Sequence, residues 1–253
     1  MIDVKRLLSR GCKKSLSVGI GLGGGAAAAT EARLLDSGCR VNVLYFDTPK
    51  LLVGSLSKGE VAAAVRGTLS SSEALKEVKR AFHLREVMRT AVLEDVSGKE
   101  FLLTPVGIDE GRSMSARLKL AHATFSYFEP AGWDLKIGVL SKGRMEDKDR
   151  GADIRRSIEE GEETARTLRS KGYSAEHFSI LVEDAVRSSD LVIAPDGVSG
   201  NLMFRSMHFV GGGKAYGAPV VNLEKVFVDT SRAKADFSDS IMLAAGLAAV
   251  KGL

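Results

Sequence analysis

The chain has 253 residues, 44% of them apolar, which is enough to bury a sizeable core in one large or two small domains and excludes disordered and fibrous classes. Its 36 basic and 32 acidic residues leave a formal net charge of +4. The signs are interspersed, as in KGRMEDKDRGADIRRSIEEGEE, which argues against a nucleic-acid stripe and is compatible with an anionic small ligand. No apolar run approaches the ~18 residues of a membrane span, and the longest, Ile241 to Val250, is broken by Gly246, so a soluble protein without membrane or nucleic-acid partners is expected.

The N-terminal stretch MIDVKRLLSRGCKKS is basic but has no apolar signal region or small-residue cleavage site, which points to the cytoplasm. In chain order, β-branched runs and helical periodicity predict a strand at Leu16 to Ile20, a helix at Ala26 to Asp36, a strand at Arg40 to Phe46, and helices at Lys58 to Val65 and Ser72 to Phe82. A strand at Leu102 to Val106, a helix at Ser113 to Phe128 and a strand at Leu135 to Leu140 follow. Then come helices at Asp149 to Lys171 and Glu176 to Val186, a strand at Leu191 to Ala194, a helix at Asn201 to Phe209, a strand at Val226 to Val228 and a helix at Asp239 to Val250. This alternation is that of a mostly parallel sheet covered by helices, so the fold class is α/β. Pro130 and Gly132 in FEPAGWD mark one domain break, and Gly217 to Asn222 a second crossing.

Several motifs fall at predicted strand ends, where open α/β sheets bind ligands. Gly19, Gly21 and Gly24 satisfy G-x-G-x-x-G between a strand and a helix, and Asp47 closes the next strand where a ribose-binding carboxylate would sit. Any crowded βα turn also favours glycine, and five glycines followed by four alanines over-satisfy the pattern, so NAD binding is a minor reading. In PDGVSGN, Asp196, Ser199 and Asn201 reach the sheet edge, although Ser199 or Asn201 can equally cap the helix. In VFVDTSRAKADFSDS, Arg232 beside Thr230 and Ser231 is the kind of group that clamps phosphate or carboxylate, against a bland reading as a surface ion pair with Asp236 or Asp239. VLSKGR sets Ser141, Lys142, Gly143 and Arg144 in a row, fit for a phosphate-bearing ligand or for solubility alone. Cys12 and Cys39 belong to no CxxC pair, and His83, His122, His177 and His208 form no HExxH, so no metal site is expected.

These loops, in this order, resemble the phosphate acetyl- and butyryltransferase family. The likeness rests on the SGN helix opening and on the D-x-S-R turn with its acidic residue and apolar C-terminal helix. GEVAAAVRGTLSSSEALKEV, which places Ser71 and Ser72 at a hydroxyl pair, and KIGVLSKG add to it. Within that superfamily the short length, the glycine-rich start and GNLMFRS are most similar to the archaeal MtxX group, linked by designation to methyl transfer and methanogenesis.

The resemblance implies two α/β/α domains with a cleft between them, as in isocitrate and isopropylmalate dehydrogenases, formed by residues 1–130 plus 222–253 and by residues 131–221. It also implies a homodimer. No cofactor is required, and coenzyme A or an acyl phosphate is the implied substrate. In the catalytic roles, Arg232 would hold phosphate, Ser231 would stabilise the tetrahedral intermediate and Asp239, with Asp236 as competitor, would take the thiol proton. Ligand contacts would come from Ser199, Gly200, Asn201, Arg205, Ser141, Lys142, Ser71, Ser72 and Arg66. Three positions depart from the family: Arg205 stands for a lysine, Ala233 for a glycine and Arg66 for a small residue. Arg66 either adds an anion contact or fills the cleft, and a filled cleft implies a non-catalytic binding or assembly subunit of a methyl-transfer system. A corrinoid-binding D-x-H-x-x-G and a zinc-activating cluster are both absent from the sequence.

Overall fold

The structure is a computed structural model that describes residues 2–22 and 26–253, without the side chains of residues 26–28 and 32. Gly23, Gly24 and Gly25 of the opening glycine motif lie outside the described residues. The chain divides into two compact units, one formed by Asp3–Val87 with Tyr216–Leu253 and the other chiefly by Met88–Ala215.

The first unit contains α1 (Val4–Cys12), β1 (Ser17–Gly21), α2 (Ala26–Asp36), β2 (Asn42–Phe46), α3 (Pro49–Lys58), β3 (Ala63–Val65) and α4 (Ser71–Ala81). The second contains β4 (Ala91–Glu94), β5 (Glu100–Thr104), α5 (Met114–Phe128), β6 (Ile137–Val139), α6 (Ala152–Ser170), β7 (Ala175–His177), α7 (Val182–Ser188), β8 (Leu191–Ile193) and α8 (Gly197–Arg205). β9 (Lys214–Pro219) crosses back, and β10 (Val226–Asp229) and α9 (Ser238–Lys251) complete the first unit. The first unit's strands run in the order β2-β1-β3-β10-β9 and the second's β4-β5-β8-β6-β7; β9 and β4 are antiparallel to their neighbours β10 and β5. The α/β class is as expected.

The domain limits differ from those read off the punctuation at Pro130. Residues 88–130 belong with the second unit because β5 pairs in parallel with β8, Leu102 opposite Leu191, and β4 pairs with β5. Pro130 lies in a short 3-10 turn, Glu129–Ala131, closed by Gly132.

Two stretches expected to be helical contain strands. The alanine-rich run read as a helix from Lys58 is the three-residue β3, buried throughout between β1 and β10. The helix lies upstream as α3, started by Thr48, whose hydroxyl accepts from the Leu51 amide at 3.3 Å with Pro49 in the first turn, and ended by Gly59 at φ +75°. Likewise Ala175–His177 pairs with Ile137–Val139 as β7, and its helix starts only at Val182. In both places pairing within a sheet overrides local helical preference. α1 was hidden in a stretch that reads as a basic tail; its buried side carries Val4, Leu7 and Leu8.

Phe227 of β10 packs with Leu52, Leu56, Ala74 and Val78 of α3 and α4. By strand alternation Val226 and Val228 face the other way, and α9 packs against β1, β3 and β10. α9 is apolar on almost every side, as a helix buried all round must be. It is covered in turn by α1, where Gly11 and Gly246 let the two helix backbones touch, so that a Cβ on either would overlap main-chain atoms of the other helix. Cys12, at the end of α1, forms a disulfide with Cys39, 27 residues on, beside a backbone bond from Arg40 N to Cys12 O of 3.0 Å. Among the described residues no helix is long and apolar enough to cross a membrane.

Gly246→Ala is expected to destabilise the protein by about 1–3 kcal/mol, because the added methyl meets the Leu7 backbone instead of a side chain that can rotate away. Urea denaturation monitored by circular dichroism measures this directly.

Candidate functional site

In the first unit, Ile20, Val65 and Val228 are aligned across β1, β3 and β10, so Arg66 and Asp229 leave the sheet side by side at its carboxyl edge. The Arg66 side chain is 5% exposed, pairs through Nε with Asp229 Oδ1, and donates from Nη1 to Leu69 O at 2.5 Å. Asp229 Oδ1 also accepts from Thr230 N at 3.0 Å, and the Thr230 hydroxyl donates to Gly67 O at 3.1 Å. Arg66, read from the sequence as either an anion contact or a residue that fills the cleft, is thus built into the sheet edge. Ser70 flanks α4 and shares a 3.1 Å hydroxyl contact with Ser72; Ser71 is half-buried and Ser72 exposed.

The turn from β10 to α9 carries the remaining predicted groups. Ser231 is half-buried, and its hydroxyl accepts from Ala233 N at 3.3 Å. Asp236 organises the start of α9, accepting from Ser238 N at 2.8 Å and from the Ser238 hydroxyl at 2.9 Å, and lies 3.6 Å from Arg33. Asp239 is half-buried in the first helical turn. Arg232 is exposed, and among the described residues its guanidinium has no hydrogen-bond or ion-pair partner. Among the described residues Arg232 forms neither of the surface pairings, with Asp236 or with Asp239, that the bland reading supposed; the cation beside Asp236 is Arg33.

In the second unit, Thr104, Ile193 and Val139 are aligned across β5, β8 and β6, and the three following loops meet. Asp196, not Ser199 or Asn201, caps α8: its Oδ1 accepts from Ser199 N at 2.8 Å, and the helix begins at Gly197. Asn201 instead ties α8 to the loop after β5, donating from Nδ2 to Val106 O at 2.9 Å. Gly200 is required because a side chain there would overlap the Pro105 carbonyl. Arg205 is exposed, its guanidinium 5.2 Å from the centre of the Phe209 ring.

Lys142 reaches over from the β6 loop to Asp196 Oδ2 at 2.8 Å. Burial alone would raise the Asp196 carboxyl, but the bonds from Lys142 and from Ser199 N hold it below the usual carboxylate range. Ser141 is 2% exposed; its hydroxyl donates to Gly143 O at 2.9 Å and lies 3.0 Å from His177 Nε2. The other ring nitrogen, Nδ1, is 3.3 Å from Glu162 Oε2.

Sequence reasoning passed over His177, Arg89 and Arg117. Arg117 donates to Pro195 O at 2.8 Å and to Glu160 at 2.6 Å, holding the loop that delivers Asp196, while Arg89 binds the buried Glu110 at 2.6 Å. Nothing in a charged residue on an amphipathic helix announces a partner 78 positions away. Gly161, inside α6, was the one legible hint that something approaches that helix closely.

These paired strand-end loops on α/β units are those of the phosphotransacylase-type fold. The chain superimposes on a branched-chain phosphotransacylase from Enterococcus faecalis with a TM-score of 0.68 at 16% identity, covering 94% of this chain and 100% of that one. A phosphotransacetylase from Streptococcus pyogenes gives 0.65 at 15% identity over 99% of both chains. A 4-hydroxythreonine-4-phosphate dehydrogenase from Klebsiella pneumoniae gives 0.56 at 13% identity, over 97% of this chain and 86% of that one. At such identities the likeness is one of fold. No family model matches the chain.

Closer relatives are found among methanogens. A Methanosarcina barkeri protein designated mtx subunit X, tied by name alone to a methyltransferase, is 40% identical over 211 residues, 83% of this chain and 78% of that protein. The Methanopyrus kandleri protein "Uncharacterized methyltransferase MK0941" is 37% identical over 261 residues, 92% of this chain and 99% of that protein. The chain belongs to this mtx subunit X family.

Removing the Arg66 cation from its buried carboxylate by Arg66→Ala is expected to cost about 3–5 kcal/mol, whereas the paired change Arg66→Met with Asp229→Leu recovers most of that loss. Equilibrium denaturation of both variants tests it. His177 titrates below its usual 6.5 because it is buried, with Glu162 only partly opposing. The fold therefore favours the neutral ring, so its contribution is full above pH 6.5 and is lost as pH falls from there through the depressed folded value. His177→Gln is expected to flatten that acid limb of the stability profile, read from urea midpoints between pH 7 and 5.

Proposed function

We propose that this protein is a transferase of the phosphate acyltransferase type that binds a phosphorylated or coenzyme A-like ligand in a methanogen setting related to methyl transfer. One observation carries the reading: Arg232 presents an exposed guanidinium with no partner among the described residues, on a turn that also carries Ser231 and leads into the first turn of α9 with Asp239. A cation so placed is suited to an anion.

In the proposed reaction the Asp239 carboxylate accepts the proton of the coenzyme A thiol, and the thiolate attacks the acyl phosphate carbonyl carbon. The Ser231 hydroxyl donates to the oxyanion of the tetrahedral intermediate. Collapse breaks the carbon–oxygen bond to phosphate, which departs against Arg232, giving acyl-coenzyme A and phosphate. No cofactor takes part. Lys142, Ser199, Arg205, Ser71 and Ser72 are the proposed further ligand contacts, and the reading includes a homodimer.

A second reading, a non-catalytic binding or assembly subunit, is favoured by Arg66. The phosphate acyltransferase resemblance calls for a small residue there, and this side chain lies folded against Asp229 and the Leu69 carbonyl.

A thermal-shift screen against coenzyme A, acetyl-coenzyme A, acetyl phosphate, phosphate and NAD separates these readings. A stabilisation by coenzyme A or acetyl phosphate that Arg232→Ala abolishes, accompanied by acyl-coenzyme A formation, supports the transferase. Binding without turnover supports the binding subunit, and no response to any of the five overturns both assignments of the site.

A further inference from the structure

His177 has no place in the chemistry above, yet the second unit is shaped around it. α6 carries a glycine at 161 in its interior, a placement that costs about 1 kcal/mol relative to alanine. A Cβ at that position would come within 2.7 Å of His177 Nε2 and 3.3 Å of the Ser141 Cβ. The glycine is therefore there to admit the ring against the turn that follows β6.

That turn is tied at each residue. Ser141 N donates to Ser179 O at 2.7 Å, and Lys142 N donates to Ser157 Oγ at 3.1 Å, one helical turn before Gly161 on the same face of α6. The Ser141 hydroxyl faces two acceptors, Gly143 O at 2.9 Å and His177 Nε2 at 3.0 Å. Glu162, which also lies 3.4 Å from Arg169, accepts from the Nδ1–H of His177, so Nε2 is an acceptor and the single Ser141 proton is shared between it and the Gly143 carbonyl.

The order carboxylate, imidazole, hydroxyl is that of an activated nucleophile. Here, however, Ser141 is 2% exposed and its one proton is shared between His177 Nε2 and the Gly143 carbonyl, so the chain of bonds ends on backbone geometry and not on a substrate. What the turn presents to solvent is Lys142, 45% exposed, whose ammonium rests on Asp196 at 2.8 Å. An incoming anion can compete with that carboxylate for the ammonium.

We propose that His177, braced by Glu162 and seated over Gly161, is a positioning residue that fixes the Ser141–Gly143 turn and thereby aims Lys142 at an anionic ligand. The ligand clause rests on the proposed function; the control of the turn does not. Hydrogen exchange of the 140–144 segment, followed by mass spectrometry on the full chain, reads the turn, and calorimetric titration with coenzyme A reads the ligand.

His177→Ala is expected to raise exchange in 140–144 by about tenfold while β8 stays protected, and to weaken coenzyme A binding as far as Lys142→Ala does. His177→Gln, which keeps a polar group where Nε2 stood, is expected to restore both. Unchanged exchange in His177→Ala overturns the proposal, as does a loosened turn with wild-type coenzyme A affinity in a protein whose Lys142→Ala variant has lost it. If β8 also loses protection in His177→Ala, the same local loosening must appear in Ser141→Ala, and its absence there overturns the proposal. Failure of the wild type to bind coenzyme A removes the ligand reading alone, and the exchange result still decides the role of His177.

Discussion

Arg66 and Asp229 are 163 positions apart, yet strand register sets them side by side at the carboxyl ends of β3 and β10, where the guanidinium and carboxylate are both shielded from water. The first unit depends on this junction. Its last strand and helix arrive only after the whole second unit has been made, so β10 must insert beside β3 late in the chain. The buried pair makes a slipped register expensive, because a displaced β10 would leave charge in the sheet edge without its counter-ion. Thr230 bonded to Gly67 O and Arg66 N bonded to Val228 O stitch the same two segments with neutral hydrogen bonds. The turn that carries Ser231 and Arg232 begins one residue beyond, so its position is inherited from this junction.

The second unit solves the same problem differently. Its three aligned strands, β5, β8 and β6, end in loops held by buried or partly buried arginines acting on main-chain carbonyls and carboxylates: Arg117 on Pro195 O, and Arg89 on Glu110. Glu110 itself is raised by burial against the lowering influence of Arg89, which shows how dry that support is. With the backbone fixed from below, the side chains on the upper rim, Lys142, Asp196 and Ser199, are spared structural work except for the helix cap. A rigid scaffold under a polar rim is the usual arrangement by which strand-end loops acquire function.

The fold is shared with phosphotransacylases and with a phosphate-ester dehydrogenase at identities of 16% or below, so it speaks for architecture and not for one reaction. Function must be argued from particular groups. In this chain Arg232 stands exposed on the turn after β10, Arg66 is buried against Asp229, and the Arg205 guanidinium lies 5.2 Å from the centre of the Phe209 ring. An arginine is a planar, permanently charged fork, and exchanging it with lysine or a small residue changes the shape of a site even where the sign of its charge is kept.

By itself the sequence determined the α/β class, because strands buried on both faces must read as short apolar runs between helical periods, and it placed the strand-end loops that carry Ser141, Asp196 and Ser231. It also made Arg232 a candidate, since an arginine beside hydroxyls at a strand end needs no distant partner to be noticed. Tertiary structure decided what local signals cannot encode. It turned the alanines of β3 into a central strand through pairing on both sides, and it moved the unit boundary to Val87 through the β5–β8 ladder. It joined Cys12 to Cys39, spent Asp236 on the start of α9, buried Arg66 in the sheet edge and brought His177 onto Ser141. Each of these depends on a contact between residues that are not neighbours in the chain, and the energy of such a contact exists only once the backbone has brought the two groups together.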